Sequence, residues 1–236
     1  INIYMTIDEY ILQHISPEGD YLYKLYRATN VHLLYGRMAS GHLQGRLLKM
    51  IVEMTRARNI LEVGTFSGYS AICLAEGLKV NLDNAAKTSM QASASLKDNA
   101  VNPLADHVIT YEINDELEPF TRPWIEGSEV GSLIDFRIGN AVEEAPKLGL
   151  EFDLVFLDGD KRAYVEAYEM AMSVTRAGGY ILADNTLWDG HVLEEPSPTD
   201  RQTKGIIDFN DYVHNDKRAE VVILPLRDGL TLIKKA

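Results

Sequence analysis

The spacing of hydrophobic and polar positions changes near residue 59 of this 236-residue chain. Before it, apolar side chains recur at intervals of three and four, as at Leu22, Leu25 and Tyr26, which is typical of amphipathic helices. After it, short apolar runs alternate with helix-period segments; the runs are NILEV, HVITYE, IDFRI, LVFLD and YILAD. Such alternation predicts βαβ units around a buried parallel sheet. We therefore predict an α/β fold with a helical lead-in over 1–58.

Two more apolar runs, AEVVILP and LTLIKK, lie near the end of the sequence and flank Asp228-Gly229. Asp-Gly favours a tight turn, so these runs predict an antiparallel hairpin at the sheet edge. Residues 79–107 fit neither pattern, because they are polar and rich in Ala, Ser and Asn. We interpret 79–107 as an insertion, one helix with loops, within a single domain over 1–236.

Composition narrows the classes of function. The formal net charge of −12 argues against a protein that coats a nucleic-acid backbone, since such proteins carry a basic face. The lone cysteine, Cys73, cannot form an internal disulfide, which favours a reducing compartment. No apolar run reaches the roughly 18 residues of a membrane span, and no signal-like segment opens the sequence. We therefore expect a cytoplasmic protein without a membrane partner.

The stretch ILEVGTFSGYS over residues 60–70 predicts a ligand-binding turn between a strand and a helix. Gly64 permits a tight turn, Gly68 permits close backbone approach, and the helix that follows offers free N–H groups. The pattern E-x-G-x-x-x-G differs from the G-x-G-x-x-G of dinucleotide dehydrogenases, which argues against a nicotinamide enzyme. Glu62 would repel a pyrophosphate and suits a cationic ligand, such as one with an ammonium group.

A second acid is expected at the end of the next strand, where open α/β sheets bind ribose hydroxyls. Two residues compete for this role. Asp83 in KVNLDN lies closer to the usual spacing of ~20 residues after the glycine loop. We prefer Glu112, because its strand is more apolar and a complete helix–strand unit follows it.

Two other strand ends carry oxygen ligands. LVFLDGDKRAY places Asp158 after one strand, and YILADNTLWDG places Asp184 and Asn185 after another. Neighbouring parallel strands bring their carboxyl ends together where ligands bind. Two carboxylates and an amide oxygen suit Mg²⁺, Mn²⁺ or Ca²⁺, and no Cys/His cluster indicates zinc. Lys161 is either a surface lysine paired with Asp160 or the group that receives a substrate proton.

Together these motifs resemble the cation-dependent O-methyltransferases, that is catechol O-methyltransferase and, more closely, the caffeoyl-CoA O-methyltransferase family with its bacterial members. The resemblance runs from about Met38 to the C-terminus, apart from 79–107, which the family lacks. Its most specific stretches are EVGTFSGYS, IDFRIGNA, FDLVFLDGDKRAY, DNTLWDG and LPLRDGLTLIKK. Plant caffeoyl-CoA enzymes carry an acidic pair where this chain has Leu43-Gln44, and both departures argue against a caffeoyl-CoA substrate.

The resemblance implies a Rossmann-like class I S-adenosylmethionine-dependent methyltransferase fold. Its seven-stranded, mostly parallel sheet would have an antiparallel last strand and helices on both faces. The resemblance also implies metal ligation by Asp158, Asp184 and Asn185, a general-base role for Lys161, and a homodimer. The residues it places around S-adenosylmethionine are Ser40, Glu62, Gly64, Ser70, Glu112, Ala141 and Asp158.

We therefore expect an S-adenosylmethionine-dependent O-methyltransferase that acts on a hydroxyl of a catechol-like, vicinal dihydroxy aromatic small molecule, with Mg²⁺ as the expected cation. Two alternatives stay open: methylation of a hydroxylated tRNA base, and a non-catalytic S-adenosylmethionine-binding module. The net charge argues against the first alternative. The presence of every proposed catalytic residue argues against the second.

Overall fold

The computed structural model describes residues 5–91 and 105–236. Its helices are α1 (Ile7–His14), α2 (Asp20–His32), α3 (Gly41–Thr55), α4 (Tyr69–Gln91), α5 (Glu118–Glu126), α6 (Ala141–Glu144), α7 (Tyr164–Val174) and α8 (Arg201–Asn215). Its strands are β1 (Ile60–Val63), β2 (Val108–Glu112), β3 (Ile134–Ile138), β4 (Phe152–Leu157), β5 (Thr175–Asp184), β6 (Ala219–Leu224) and β7 (Leu230–Lys235). Three helices thus precede the first strand, as the spacing of apolar residues predicts.

The strands form one seven-stranded sheet in the order β3-β2-β1-β4-β5-β7-β6. Strands β1 to β5 pair in parallel, whereas β7 runs antiparallel to both of its neighbours, β5 and β6. The predicted sheet with a reversed last strand is confirmed, and so is the hairpin around Asp228-Gly229.

Helices cover both faces of the sheet. Alternate strand residues point to opposite faces, so each central strand contributes to two cores. In β4, Val155 and Leu157 belong to a core that includes residues of α7 and α8. Leu154 and Phe156 belong to a second core with residues of α2, α3 and α4. Burial on both faces explains why the central strands are continuous apolar runs.

Helix α4 extends well beyond the segment that follows the glycine loop, and it includes residues 79–91 of the predicted insertion. Asp83 therefore lies on a helix and not at a strand end. Its exposed side chain pairs with Lys79 one helical turn away, at 2.8 Å, and such pairs favour helix. Residues 92–104, the larger remainder of the predicted insertion, lie outside the described residues. Within the described ranges, no helix combines the length and apolar character needed to cross a bilayer.

Candidate active site at the carboxyl ends of the strands

Strand register brings the predicted site residues to one edge of the sheet. Leu157 of β4 is the parallel partner of Ala183 in β5, so the next residues, Asp158 and Asp184, leave the sheet side by side. Strand β1 flanks β4 on the other side, and the glycine loop starts directly after it at Gly64. The predicted metal ligands and the predicted cofactor loop therefore lie next to each other.

The candidate metal ligands already have hydrogen-bond donors. The buried carboxylate of Asp184 accepts from the backbone N–H of Asn185 at 2.9 Å through Oδ1 and from Gln44 Nε2 at 2.7 Å through Oδ2. Asp158 Oδ1 accepts from Lys161 Nζ at 2.9 Å. Asn185 adopts a left-handed backbone conformation, with φ of 59°, which asparagine tolerates better than most residues.

Charged side chains of both signs meet at this edge: Lys161 and Arg227 face Asp158 and Asp184. Burial raises the pKa of Asp158 to about 7, the Lys161 ammonium opposes this rise, and the nearby Asp184 carboxylate adds to it. Two close carboxylates and the amide of Asn185 form the kind of oxygen donor set that hard divalent cations prefer. Across residues 5–91 and 105–236, no cluster of three or more His, Cys, Asp or Glu side chains suited to a metal is present.

Lys161 is buried beside these carboxylates, in a short 3₁₀ turn before α7. Its Nζ donates to Asp158 and, at 2.6 Å, to the hydroxyl of Tyr164. The alternative of a surface pair with Asp160 is wrong, because Asp160 accepts from Arg162 instead. Burial alone would lower the pKa of Lys161, but the nearby carboxylates outweigh it and hold that pKa above its ordinary value.

Tyr164 links the two strand ends. Its fully buried hydroxyl lies 3.1 Å from the carbonyl oxygen of Leu157 and 2.9 Å from that of Asp184, and it can donate to either. The same oxygen accepts from Lys161. Tyr164 thus fixes the lysine relative to both β4 and β5.

The glycine loop approaches the end of β4 closely. Gly64 has a φ of +99°, and a Cβ there would lie 2.4 Å from the carbonyl oxygen of Asp158. Only glycine combines this conformation with this contact. Farther along the loop, the backbone N–H of Phe66 donates to Glu112 Oε2 at 2.8 Å, while that of Asn114 donates to Oε1 at 2.9 Å. The structure therefore brings Glu112, and not Asp83, to the cofactor loop.

Glu62 is the clearest sign of a ligand that is cationic. Its side chain is fully buried, and Oε2 accepts from the Thr110 hydroxyl. Oε1 has no hydrogen-bond partner within the part of the chain that the structure describes. Burial raises the pKa of Glu62 to about 8; the Thr110 hydroxyl opposes this rise, as does the nearby Ser70 hydroxyl, which makes no hydrogen bond of standard geometry to Glu62. An unpaired buried carboxylate oxygen is costly unless a ligand satisfies it, and an ammonium group would do so.

The remaining predicted cofactor residues surround the same edge. Ser40 is buried just before α3, and its carbonyl accepts from Arg227. Ser70 is buried in the first turn of α4. Ala141 is buried at the start of α6, directly after β3, and the preceding turn donates from Gly139 N–H to the Glu112 carbonyl at 2.9 Å.

Three residues of this region were missed from sequence: Gln44, Tyr164 and Arg227. Each had a weak local signal. Gln44 belongs to the pair that departs from the plant caffeoyl-CoA enzymes, Tyr164 lies three residues after Lys161, and Arg227 directly precedes the Asp-Gly turn. None of these signals indicates the tertiary contact by which the residue joins the candidate site.

Comparison with known proteins decides the family. A family model described as O-methyltransferase matches residues 13–91 and 93–236, almost the whole chain. The chain belongs to the O-methyltransferase family. A glycine loop with a buried carboxylate in place of a dinucleotide-binding G-x-G-x-x-G is consistent with that membership, and the nicotinamide-dehydrogenase alternative is no longer needed.

Individual relatives agree with this O-methyltransferase assignment. The catechol O-methyltransferase of Niastella koreensis is 29% identical over 241 residues, which cover 98% of this chain and 96% of that protein. The caffeoyl-CoA O-methyltransferase of Petroselinum crispum is 28% identical over 239 residues, with 96% and 89% covered. The crystal structure of the O-methyltransferase TomG from Streptomyces achromogenes shares the fold, with a TM-score of 0.79, 24% identity, and 98% and 96% covered. The predicted fold class and family resemblance are confirmed.

Proposed function

We propose that this O-methyltransferase transfers the methyl group of S-adenosylmethionine to one hydroxyl of a vicinal dihydroxy aromatic small molecule, with Mg²⁺ held at the strand ends. The convergence of Asp158 and Asp184 beside the glycine loop carries the proposal. The similarity to a catechol O-methyltransferase supports the substrate class. The structure of TomG in complex with SAM supports the methyl donor.

The cofactor would be held by charge and by hydroxyl recognition. Glu62 Oε1 is free to accept from the cofactor ammonium, and Asp158 adds negative charge near that group. Glu112 accepts one backbone N–H on each oxygen, and a carboxylate oxygen retains a further lone pair for a ribose hydroxyl. Backbone atoms at Ser40 and Gly64 and the side chain of Ser70 would enclose the methionine part, with Ala141 beside the adenine.

The cation would be held by Asp158, Asp184 and Asn185. When bound, it would supply positive charge that lowers the pKa of a substrate hydroxyl and offsets the carboxylates that raise the pKa of Lys161. With its pKa so lowered, Lys161 in its neutral amine form would accept the hydroxyl proton, while Tyr164 keeps this nitrogen in position. Because the cofactor loop contacts the end of β4, the chain can hold acceptor oxygen and methyl group close together, which contributes much of the acceleration in such transfers.

We also propose that the enzyme is a cytoplasmic homodimer. Apolar side chains at the end of α2 and in the turn after it are strongly exposed: Val31 by 71%, Leu34 by 84% and Tyr35 by 75%. Exposed apolar groups of this size favour an interface over free solvent contact. Light scattering on the purified protein would test this; a monomer across micromolar concentrations would contradict it.

A methyl-transfer assay tests the proposed function. Purified protein is incubated with S-adenosylmethionine and catechol, with Mg²⁺ or with excess chelator. We expect methylated product with Mg²⁺ and background levels with chelator. Resorcinol, whose hydroxyls are not adjacent, is the matched control and should react poorly, because it cannot present two neighbouring oxygens to one cation.

Two results would contradict the proposal. Undiminished turnover in chelator would remove the metal role. Methylation of tRNA that carries a hydroxylated base, with no turnover of any catechol, would favour the tRNA-base alternative, against which the net charge of −12 argues.

A further inference from the structure

A hydrogen-bonded chain leads from Arg227, exposed in the turn between β6 and β7, to the buried candidate metal ligand Asp184. Arg227 Nη1 donates to Gln44 Oε1 at 3.0 Å, and Gln44 Nε2 donates to Asp184 Oδ2 at 2.7 Å. Gln44 is 1% exposed and Asp184 is 3% exposed. Water therefore has little access to the contact between Gln44 and Asp184.

The chemistry of the two partners requires an amide at position 44. A guanidinium only donates hydrogen bonds, whereas an ionised carboxylate only accepts them. A side chain between them must accept on one side and donate on the other, and glutamine does both while remaining neutral. An apolar side chain at this position would leave the buried Oδ2 of Asp184 without this donor and would remove the contact to Arg227.

The contact from Gln44 completes the orientation of the Asp184 carboxylate. Oδ1 is held by the backbone N–H of Asn185, and Oδ2 is held by Gln44. With a donor on each oxygen, the carboxylate plane is fixed before a cation arrives, and each oxygen retains a lone pair. Partners that hydrogen-bond a ligating carboxylate orient it and tune metal affinity.

Arg227 is itself anchored to the segment before α3. Its guanidinium donates to the backbone carbonyls of Arg37 at 3.0 Å, Ala39 at 3.1 Å and Ser40. This guanidinium therefore has a defined position, from which it fixes the direction of the Gln44 amide.

We infer that Gln44 is a positioning residue that holds the Asp184 carboxylate ready for a divalent cation, and that Arg227 acts on the same carboxylate through Gln44. The inference rests on the proposed metal site. Gln44 belongs to the pair Leu43-Gln44, where the sequence departs from the acidic pair of the plant caffeoyl-CoA enzymes.

The test measures metal affinity without turnover. Mn²⁺ is titrated calorimetrically into the full chain saturated with S-adenosylhomocysteine, for wild type, Gln44→Met, Arg227→Met and the double variant. Methionine keeps the length of glutamine but removes both hydrogen bonds. We expect Gln44→Met to weaken Mn²⁺ binding by about 10- to 100-fold and to leave the affinity for S-adenosylhomocysteine unchanged.

The double variant separates a chain of contacts from two independent ones. If the two residues acted independently, the fold-losses in Mn²⁺ affinity of the two single variants would multiply in the double variant. Since Arg227 acts through Gln44, we expect the double variant to lose less affinity than that product. The matched control is Gln202→Met, at an exposed glutamine in the first turn of α8, and its Mn²⁺ affinity should equal that of wild type.

The outcomes distinguish this inference from the proposed function. A wild-type protein that binds no Mn²⁺ would refute the metal site itself. Wild-type Mn²⁺ binding with the same affinity in Gln44→Met would overturn the inference alone, as would an equal loss of S-adenosylhomocysteine affinity, which would indicate a general packing role. Should Gln44→Met fail to fold, Arg227→Met decides: undiminished Mn²⁺ affinity there would also overturn the inference.

Discussion

The two parts of the candidate active site, the glycine loop and the ends of β4 and β5, satisfy their carboxylates in different ways. At the glycine loop, Glu62 keeps one oxygen without a partner among the described residues. At the ends of β4 and β5, each carboxylate has an internal donor, Lys161 for Asp158 and Gln44 for Asp184. The cofactor end, at the glycine loop, is thus incomplete without a ligand, whereas the proposed metal end, at the ends of β4 and β5, is hydrogen-bonded in advance.

This difference indicates what each ligand has to do. A cationic group at the glycine loop would supply the donor that Glu62 Oε1 lacks among the described residues, so its binding should depend strongly on this one carboxylate. A cation at the strand ends joins a network that already holds its ligands, so its affinity should depend on several supporting side chains. Substitutions at the two ends should therefore separate cofactor binding from catalysis.

The largest effect is expected at the metal end, for Lys161→Met. Loss of the group that accepts the hydroxyl proton should lower kcat by about 10²- to 10⁴-fold, while calorimetry should show unchanged affinity for S-adenosylhomocysteine. Lys217→Met, at an exposed lysine, is the control and should retain full activity. A normal kcat for Lys161→Met would mean that another group takes the proton.

The next effect is expected at the cofactor end, for Glu62→Gln. Glutamine keeps the shape but removes the charge that would face the ammonium, and truncating one partner of a buried charge pair costs about 2–5 kcal/mol. The Kd for S-adenosylmethionine should rise by roughly 30-fold or more. Mn²⁺ affinity should change little; a parallel loss of Mn²⁺ binding would contradict the separation of the two ends.

The same variant should alter the pH dependence of stability. The pKa of Glu62 is raised from 4.5 to about 8 on burial, so between these values the folded protein binds more protons than the unfolded chain. Stability of the ligand-free protein should therefore fall as pH rises from about 5 to 8. Glu62→Gln cannot ionise, so its Tm should exceed that of wild type at pH 8 and converge with it near pH 5.

The Tm measurement has a control at an exposed acid. Glu195→Gln, on the surface, should leave the dependence of Tm on pH unchanged. Equal slopes for wild type and Glu62→Gln would show that Glu62 does not carry the buried charge that we assign to it.

The smallest effects distinguish the two candidates for ribose binding. Glu112→Gln should weaken S-adenosylmethionine binding by about 10-fold or more, since a hydrogen bond to a charged group contributes about 1.5–3 kcal/mol. Asp83→Asn should have no measurable effect, because Asp83 is exposed on α4. If calorimetric titration showed a larger loss of S-adenosylmethionine affinity for Asp83→Asn than for Glu112→Gln, Asp83 would be the better candidate for ribose binding.

The elements with strong periodicity could be predicted from sequence. The apolar runs of β1, β2, β4 and β5 are buried on both faces, which makes them recognisable. Because parallel strands end at the same edge, Asp158 and Asp184 could be placed together before the fold was known. The glycine loop could be recognised from its pattern E-x-G-x-x-x-G.

Other features could not be predicted, for physical reasons. KVNLDN continues α4. Asn81 in this segment donates to the carbonyls of Val52 and Ala57, distant contacts that its polar local sequence does not reveal. The partnership of Gln44 with Arg227 spans 183 positions, and no local pattern encodes such a contact. Tyr164 likewise acquires its role only when β4 and β5 are adjacent.

The near-contact between Gly64 and the backbone of Asp158 has a consequence for how the sequence can change over time. Any side chain at position 64 would push against the carbonyl that precedes Gly159, and so would displace the end of β4 along with the loop. A single substitution there would damage both halves of the reaction centre at once. No single substitution at position 64 therefore leaves both the loop and the end of β4 in place.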